Sequence, residues 1–137
     1  MSYRAPVRDI AFALNKVAGL APALENKHFG DLSPDLVDAI LEEAGRFANE
    51  EIAPLSEIGD RHGTPLNDGV VTMPPGWKEL YRRWIDGGWN GLIADPEHGG
   101  QGLPTSLYAA TLEMWNSGSL AFGIGPTLTI GAVEALE

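Results

Sequence analysis

Cysteine is absent from this chain of 137 residues. Its absence excludes a disulfide framework, a thiol nucleophile and a thiolate metal site, and weakly favours a reducing compartment. Cations are scarce. Nine Lys and Arg stand against 19 Asp and Glu, for a formal net charge of −10. A chain so acidic repels a phosphate backbone, so nucleic acid is not an expected partner. No run of about 18 apolar residues occurs, so no membrane span is expected. The most hydrophobic stretch, 119–136, is interrupted by glycines, Pro126, threonines and Glu134. The first 20 residues carry Arg4, Arg8, Asp9 and Lys16, which leaves no apolar core for a secretory signal. The default location is the cytoplasm. No internal repeat with a period of 20–50 residues is visible.

What is present is one globular domain's worth of chain. Hydrophobic residues make up 44% and charged residues 20%, the balance of a folded protein. A domain of this length hides roughly 70% of its unfolded surface, enough for a core. Seventeen glycines and ten prolines promise several turns.

Helical periodicity dominates. Pro6, then Val7, Ile10, Leu14 and Val17, predicts a short helix over 6–17, with Gly19 as its stop. Residues 20–32 read as mostly loop. Ser33-Pro34-Asp35 is a strong helix start: a capping hydroxyl, a proline at the first helical position and a carboxylate at the positive end of the dipole. From Leu36 to Ile58 the apolar residues recur every 3.6 positions, with Asp38, Glu42, Glu43, Arg46 and Glu50 on the opposite face. A kink is expected at Pro54, with helix resuming to about Arg61. A surface pair between Glu42 and Arg46 is expected from their i,i+4 spacing. Residues 62–73 read as an extended loop, with turn chemistry at Pro65, Asn67, Asp68 and Gly69 and a short extended piece from Val70. Pro74-Pro75-Gly76 opens a helix with Trp77, Leu80, Tyr81, Trp84 and Ile85 on one face, closed by Gly87-Gly88. A glycine-rich turn region follows over 87–104. A helix over 104–117 then turns Leu107, Tyr108, Thr111, Leu112 and Trp115 inward. The last segment is expected to split at Gly125-Pro126 into a turn and a final helix. The fold class is therefore all-α, bundle-like, with long irregular loops. Residues 1–32 form an N-terminal extension and 33–137 the main domain. The apolar pattern runs open-ended to Glu137, with no closing glycine, cation or proline, as in a piece of something longer.

Candidate chemistry fails residue by residue. Gly99-Gly100-Gln101-Gly102 lacks both the GK[ST] ending of a P-loop and the GxGxxG spacing, and reads as a tight turn before a helix rather than a phosphate cradle. Ser117 and Ser119 do not sit in GxSxG. Glu25 and His28 match ExxH once, where a di-metal bundle needs two such motifs with further glutamates. His62 and His98 have no ligand-spaced partner, so no metal site is assigned. The four tryptophans read as core. The residues alone describe a helical domain with no self-contained active site.

The stretch Gly88-Trp89-Asn90-Gly91-Leu92, then Asp95-Pro96-Glu97-His98-Gly99-Gly100-Gln101-Gly102-Leu103-Pro104, resembles the helix–loop signature of the N-terminal domain of acyl-CoA dehydrogenases. "FANEEIAPL" at 47–55, "LEMW" at 112–115 and "FGIGPTLTIGAVEAL" at 122–136 are similar to the same domain, so the resemblance covers about 33–137. The lead-in "YRAPVRDIAFAL" looks like that of a longer subgroup, which includes 3-methylmercaptopropionyl-CoA dehydrogenase-like proteins. The resemblance implies a flavoenzyme in which FAD takes a hydride from the β-carbon of an acyl-CoA thioester while a glutamate base removes the α-proton. It implies electron-transferring flavoprotein as acceptor and a homo-oligomer. It also implies a middle β-domain carrying most flavin contacts and a C-terminal helical domain, both absent here. No glutamate of this chain is assigned as the base, and FAD is not expected on this chain alone. By the same resemblance, the last helices wall the acyl pocket, with Met114, Ser119, Phe122 and Thr127 as candidate positions. The alternative reading is a free-standing helical interaction module derived from that domain.

Overall fold

A computed structural model describes residues 3–136. The cap predicted at Ser33 forms: its Oγ accepts the Leu36 amide at 3.2 Å, and helix α3 runs Pro34–Phe47. Its apolar stripe buries Val37, Leu41, Ala44 and Phe47, while Asp38, Glu42, Glu43 and Glu50 stay in solvent. The break that proline demands comes before Pro54 rather than at it. Ala48–Ile52 is a widened π turn, closed by the Ala53 amide donating to Ala48 O, and α4 then runs Ala53–His62 with Pro54 in its first turn. The helix is continuous through the three segments, so Pro54 forgoes one backbone bond inside it, and the π turn just before it is where the hydrogen-bond register changes.

Ahead of α3, helix α1 (Val7–Phe12) passes into a second π turn, Ala13–Val17, inside the span expected to be helical. Residues 20–32 divide: 26–32 are turns and irregular chain, as expected, but the first six residues are helical. Leu20–Glu25 is helix α2, capped by Gly19 at φ +76°. Pro22 falls in its first turn, where proline is tolerated, and Leu20 and Leu24 anchor it to the core. Ile10, Leu14, Leu20 and Leu24 join the same hydrophobic cluster as α3.

After α4, Leu66–Asn67 (β1) and Val70–Val71 (β2) pair antiparallel, Leu66 opposite Val71 and Asn67 opposite Val70. Asp68 at φ +49° and Gly69 at φ +79° make the two-residue turn, whose twist matches the strands. Helix α5 (Trp77–Asp86) buries Trp77, Leu80 and Trp84. Tyr81 and Ile85, expected on the same face, are each 44% exposed, because the buried stripe is too narrow to include them.

Helix α6 (Thr105–Gly118) is the central element and packs on α3 and on α7 (Leu120–Leu136). The expected split at Gly125-Pro126 does not occur. Pro126 lies inside α7 and is buried, and the helix runs through it; Glu137, the last residue of that expectation, lies outside the described residues. One lost backbone bond is outweighed by Phe122, Pro126 and Ile130 packing inward, at about 1.5–3 kcal/mol for each large side chain. At the centre, Trp84 and Trp115 meet edge to face with centroids 4.1 Å apart, flanked by Trp89 at 5.2 Å from Trp115 and Phe47 at 6.0 Å from Trp84. Such pairs contribute roughly 0.5–1.5 kcal/mol each beyond burial.

The surface pair also differs from expectation. Arg46 forks onto both oxygens of Glu43 (Nε to Oε2 2.9 Å) and reaches Glu50 at 3.0 Å, instead of binding Glu42. The planar guanidinium matches one carboxylate bidentately, which the Glu43 position permits. The Arg46 hydrogen bonds hold the Glu43 carboxyl below its ordinary range.

Candidate functional site

The glycine-rich segment is settled by its amides. Gly99 N–H donates to Pro96 O, Gly100 to Asp95 O, Gln101 to Gly91 O, Gly102 to Ala94 O and Leu103 to Leu92 O. Five successive donors are spent within the loop, so none is left to cradle a phosphate. The Gln101 side chain donates from Nε2 to Gly88 O at 2.8 Å, and the Asp95 carboxylate accepts the Glu97 amide at 2.7 Å. Gly100 is required sterically, because a Cβ there would collide with the Ala94 carbonyl. The loop is a clasp that fixes the entry to α6.

A concavity of about 1180 Å³ lies at the C-terminal end of α6. Its walls are Asn49 and Ala53 at the π turn, Met73 and Pro74 before α5, and Ser119 and Leu120 at the α6–α7 junction. A smaller cavity of about 270 Å³ adjoins it, lined by Met73, Trp77, Tyr81, Phe122, Gly125 and Pro126. Trp77 divides the two. Its ring lies over Gly59, its Nε1 donates to Leu55 O at 3.3 Å, and it meets Phe122 edge to face at 6.1 Å. Tyr3 reaches the larger cleft, where burial raises its phenol above the ordinary range, Ser117 opposes the shift and Glu113 adds to it.

The four candidate positions separate. Ser119 lines the larger cleft and Phe122 the smaller cavity. Met114 is fully buried beneath Gly45 of α3 and lines neither. Thr127 is exposed on α7, its Oγ1 donating to Gly123 O at 2.9 Å. Trp77 and Met73 were not singled out as site residues. Their role depends on Gly59 and on α7, both remote in sequence, although Pro74-Pro75-Gly76 marks where the segment turns.

The charges in the larger cleft are Glu57 and Asp60; no Lys or Arg lines it. A diphosphate would be repelled there, so these residues do not fit FAD. No histidine lines either cavity, so Ser119 has no imidazole base beside it. Among the described residues no group of three His, Asp or Glu is placed to hold a metal ion. Glu25 ends α2 and His28 lies in the turn after it, so the ExxH spacing does not fall on one helix face. No described helix is long and apolar enough to cross a membrane.

One face remains unexplained by the domain's own core. On α7, Leu120, Ile124 and Leu128 are 58%, 53% and 73% exposed at successive i,i+4 positions, while Phe122, Pro126 and Ile130 are buried opposite them. The helix is apolar on both sides.

No family model matches the chain. Over all 137 residues it is 44% identical to the 3-methylmercaptopropionyl-CoA dehydrogenase of Ruegeria pomeroyi, of which it spans 23%. Over 113 residues it is 29% identical to the broad-specificity linear acyl-CoA dehydrogenase FadE5 of Mycobacterium tuberculosis, a match covering 81% of this chain and 18% of that protein. The chain thus spans less than a quarter of the length of the curated relatives it matches. With its all-helical architecture, this similarity makes the chain a member of the acyl-CoA dehydrogenase family, corresponding to a partial, N-terminal domain.

Proposed function

We propose that this chain is the N-terminal helical domain of an FAD-dependent acyl-CoA dehydrogenase and supplies one wall of the acyl pocket without being catalytic alone. The observation that carries the reading is α7, whose exposed stripe Leu120, Ile124 and Leu128 has the character of a buried surface. Ligand clefts favour domain interfaces, and a contiguous apolar face marks where another domain or a ligand docks. Thr127 and Leu128 sit on that face and Phe122 lines the adjoining cavity. In the complete protein FAD would supply hydride acceptance, held by residues outside this chain. This chain's part is to exclude water and set the depth of the acyl slot. The remaining assignments follow from the family alone: electrons passing to an electron-transferring flavoprotein, a homo-oligomer, and a cytoplasmic setting.

The test uses the full-length protein assayed with acyl-CoA thioesters of graded length and an artificial electron acceptor. Leu128→Trp should narrow the slot, lowering kcat/KM for long acyl chains by about tenfold or more relative to short ones, at unchanged flavin content. An unaltered chain-length profile would remove α7 from the pocket. A full-length protein that binds no flavin and does not turn over acyl-CoA would instead favour the helical interaction module.

A further inference from the structure

Residues 3–6 lead into α1 without helix or strand of their own, and exposure alternates along them. Tyr3, Ala5 and Val7 are half-buried against the core, while Arg4 and Pro6 face solvent. Such period-two alternation belongs to a chain that covers one face in an extended conformation. Yet among the described residues this segment pairs with no strand. The sequence accounts for its shape. Pro6 disfavours the helical region for the residue before it, which keeps Ala5 out of the helix, and Pro6 is itself the residue from which α1 starts.

This strap is seated at two points on one face of the helix that runs from α3 into the π turn. Gly45 is the first. A Cβ there would fall 2.5 Å from Val7 Cγ2 and 3.4 Å from Ala5 Cβ, so the strap occupies the space that the glycine leaves. Glycine inside a helix is intrinsically unfavourable, and here it makes room for the strap. Asn49, one turn further on, is the second: its Oδ1 accepts the Ala5 amide at 2.7 Å. Asn49 stands in the π turn Ala48–Ile52, against which the end of α6 packs, the Cβ position of Gly118 lying 3.3 Å from Ala48 O. Tyr3 reaches the last turn of α6 beside Ser117, and lines the larger cleft together with Asn49, Gly118 and Ser119.

We propose that residues 3–7 are a releasable latch: closed, they complete the Tyr3 wall of the larger cleft; released, they open it toward Ser119. Every contact in the latch is between this chain's own residues. Segments held by few contacts open at a fraction of the global unfolding free energy. Here one side-chain acceptor fastens a segment that has no ladder of its own. The hinge falls in the first turn of α1, which begins without a side-chain cap, ahead of Ile10 and Leu14, which are buried in the core. Release uncovers Ser119, which is only 5% exposed although it lines an open cleft.

A single thiol can report the opening, because the chain has no cysteine. In Ser119→Cys, alkylation by iodoacetamide is followed by mass spectrometry on this chain, whose core is built from its own residues. Thr111→Cys, fully buried in α6 and outside the cleft lining, is the reference. Asn49→Leu keeps the bulk and removes the acceptor; it should speed labelling at position 119 about fivefold, as for one net hydrogen bond. Asn49→Asp keeps an acceptor and should label within about twofold of the parent. Gly45→Ala favours the helix yet displaces Val7, and should speed labelling at least as much as Asn49→Leu. Labelling at position 111 should not change. The proposal is overturned by no acceleration at position 119 in a folded Asn49→Leu or Gly45→Ala, by equal acceleration at position 111, or by Asn49→Asp labelling as fast as Asn49→Leu. Loss of the fold in both Asn49→Leu and Gly45→Ala would also overturn it, since the strap would then be part of the core and not a latch.

Discussion

Trp77 packs against Gly59, its six-membered ring occupying the space where any other residue would place a Cβ, while its Nε1 donates to Leu55 O one turn earlier. This contact ties α4 to α5 and builds the partition between the two cavities. Gly59→Ala should destabilise the domain by about 1–3 kcal/mol, the usual range for overpacking a rigid neighbour. A urea melt should show a lowered midpoint, with the far-ultraviolet spectrum of the folded protein little changed.

The exposed stripe of α7 gives a second expectation. Ile124→Lys with Leu128→Lys removes apolar area without touching Phe122, Pro126 or Ile130 beneath. Stability of the 137-residue chain should change by less than about 1 kcal/mol, as for surface substitutions generally. Self-association of the chain, measured by sedimentation, and its binding of a hydrophobic dye should both fall.

Tyr108 presents a buried hydroxyl without a hydrogen-bond partner among the described residues, although Thr127 lies beside it. Tyr108→Phe should therefore be neutral or slightly stabilising at pH 7, because an unsatisfied buried hydroxyl is lost along with its desolvation penalty. Burial raises the Tyr108 phenol above its ordinary value of 10.0, with Glu134 adding and Thr127 opposing. The folded state thus holds this proton more tightly than the unfolded chain does. Its contribution is full below the unfolded value and is lost as pH rises through the folded one. The variant should consequently lose less stability than the parent in strong alkali, read from thermal melts across that range.

The Arg46 fork supplies a pH expectation of opposite sign. Glu43 is depressed by its Arg46 hydrogen bonds, so its contribution is present above the unfolded carboxylate value and disappears as pH falls through the folded one. Both side chains are about half exposed, so Arg46→Met should lower stability by only about 0.5 kcal/mol at neutral pH. The gap between parent and variant should close in acid. A gap that stays constant down to the lowest folded pH would show that Arg46 acts through its aliphatic stem.

Much of the fold was legible because the signals were local. Ser33-Pro34 announced α3, and the 3.6-residue stripes of α3, α5 and α6 named Leu41, Leu80 and Trp115 as core; Asp68-Gly69 marked a turn, but the strands it joins lay in a segment read as extended loop. Where local signals pointed the wrong way, they were proline and glycine. Pro22 and the short apolar pair Leu20 and Leu24 hid α2, and Gly125-Pro126 looked like a break in α7. The candidate site was half legible. Ser119 and Phe122 reach cavities, but Met114 at helical spacing could not be told apart from a core residue until α3 was laid over it.

The sequence by itself determined the helical class, the acidic surface, the turn region at 87–104 and, through its motifs, the acyl-CoA dehydrogenase family. Each depends on neighbours a few residues apart or on a match read position by position. Only the tertiary structure decided which apolar faces meet. It carried α7 through Pro126, because packing on α6 outweighs one missing hydrogen bond. It turned Trp77 into a partition by setting it against Gly59, and it left Leu120, Ile124 and Leu128 facing outward. Burial is a property of the assembled surfaces, and a periodic stripe states that a face is apolar without stating what covers it.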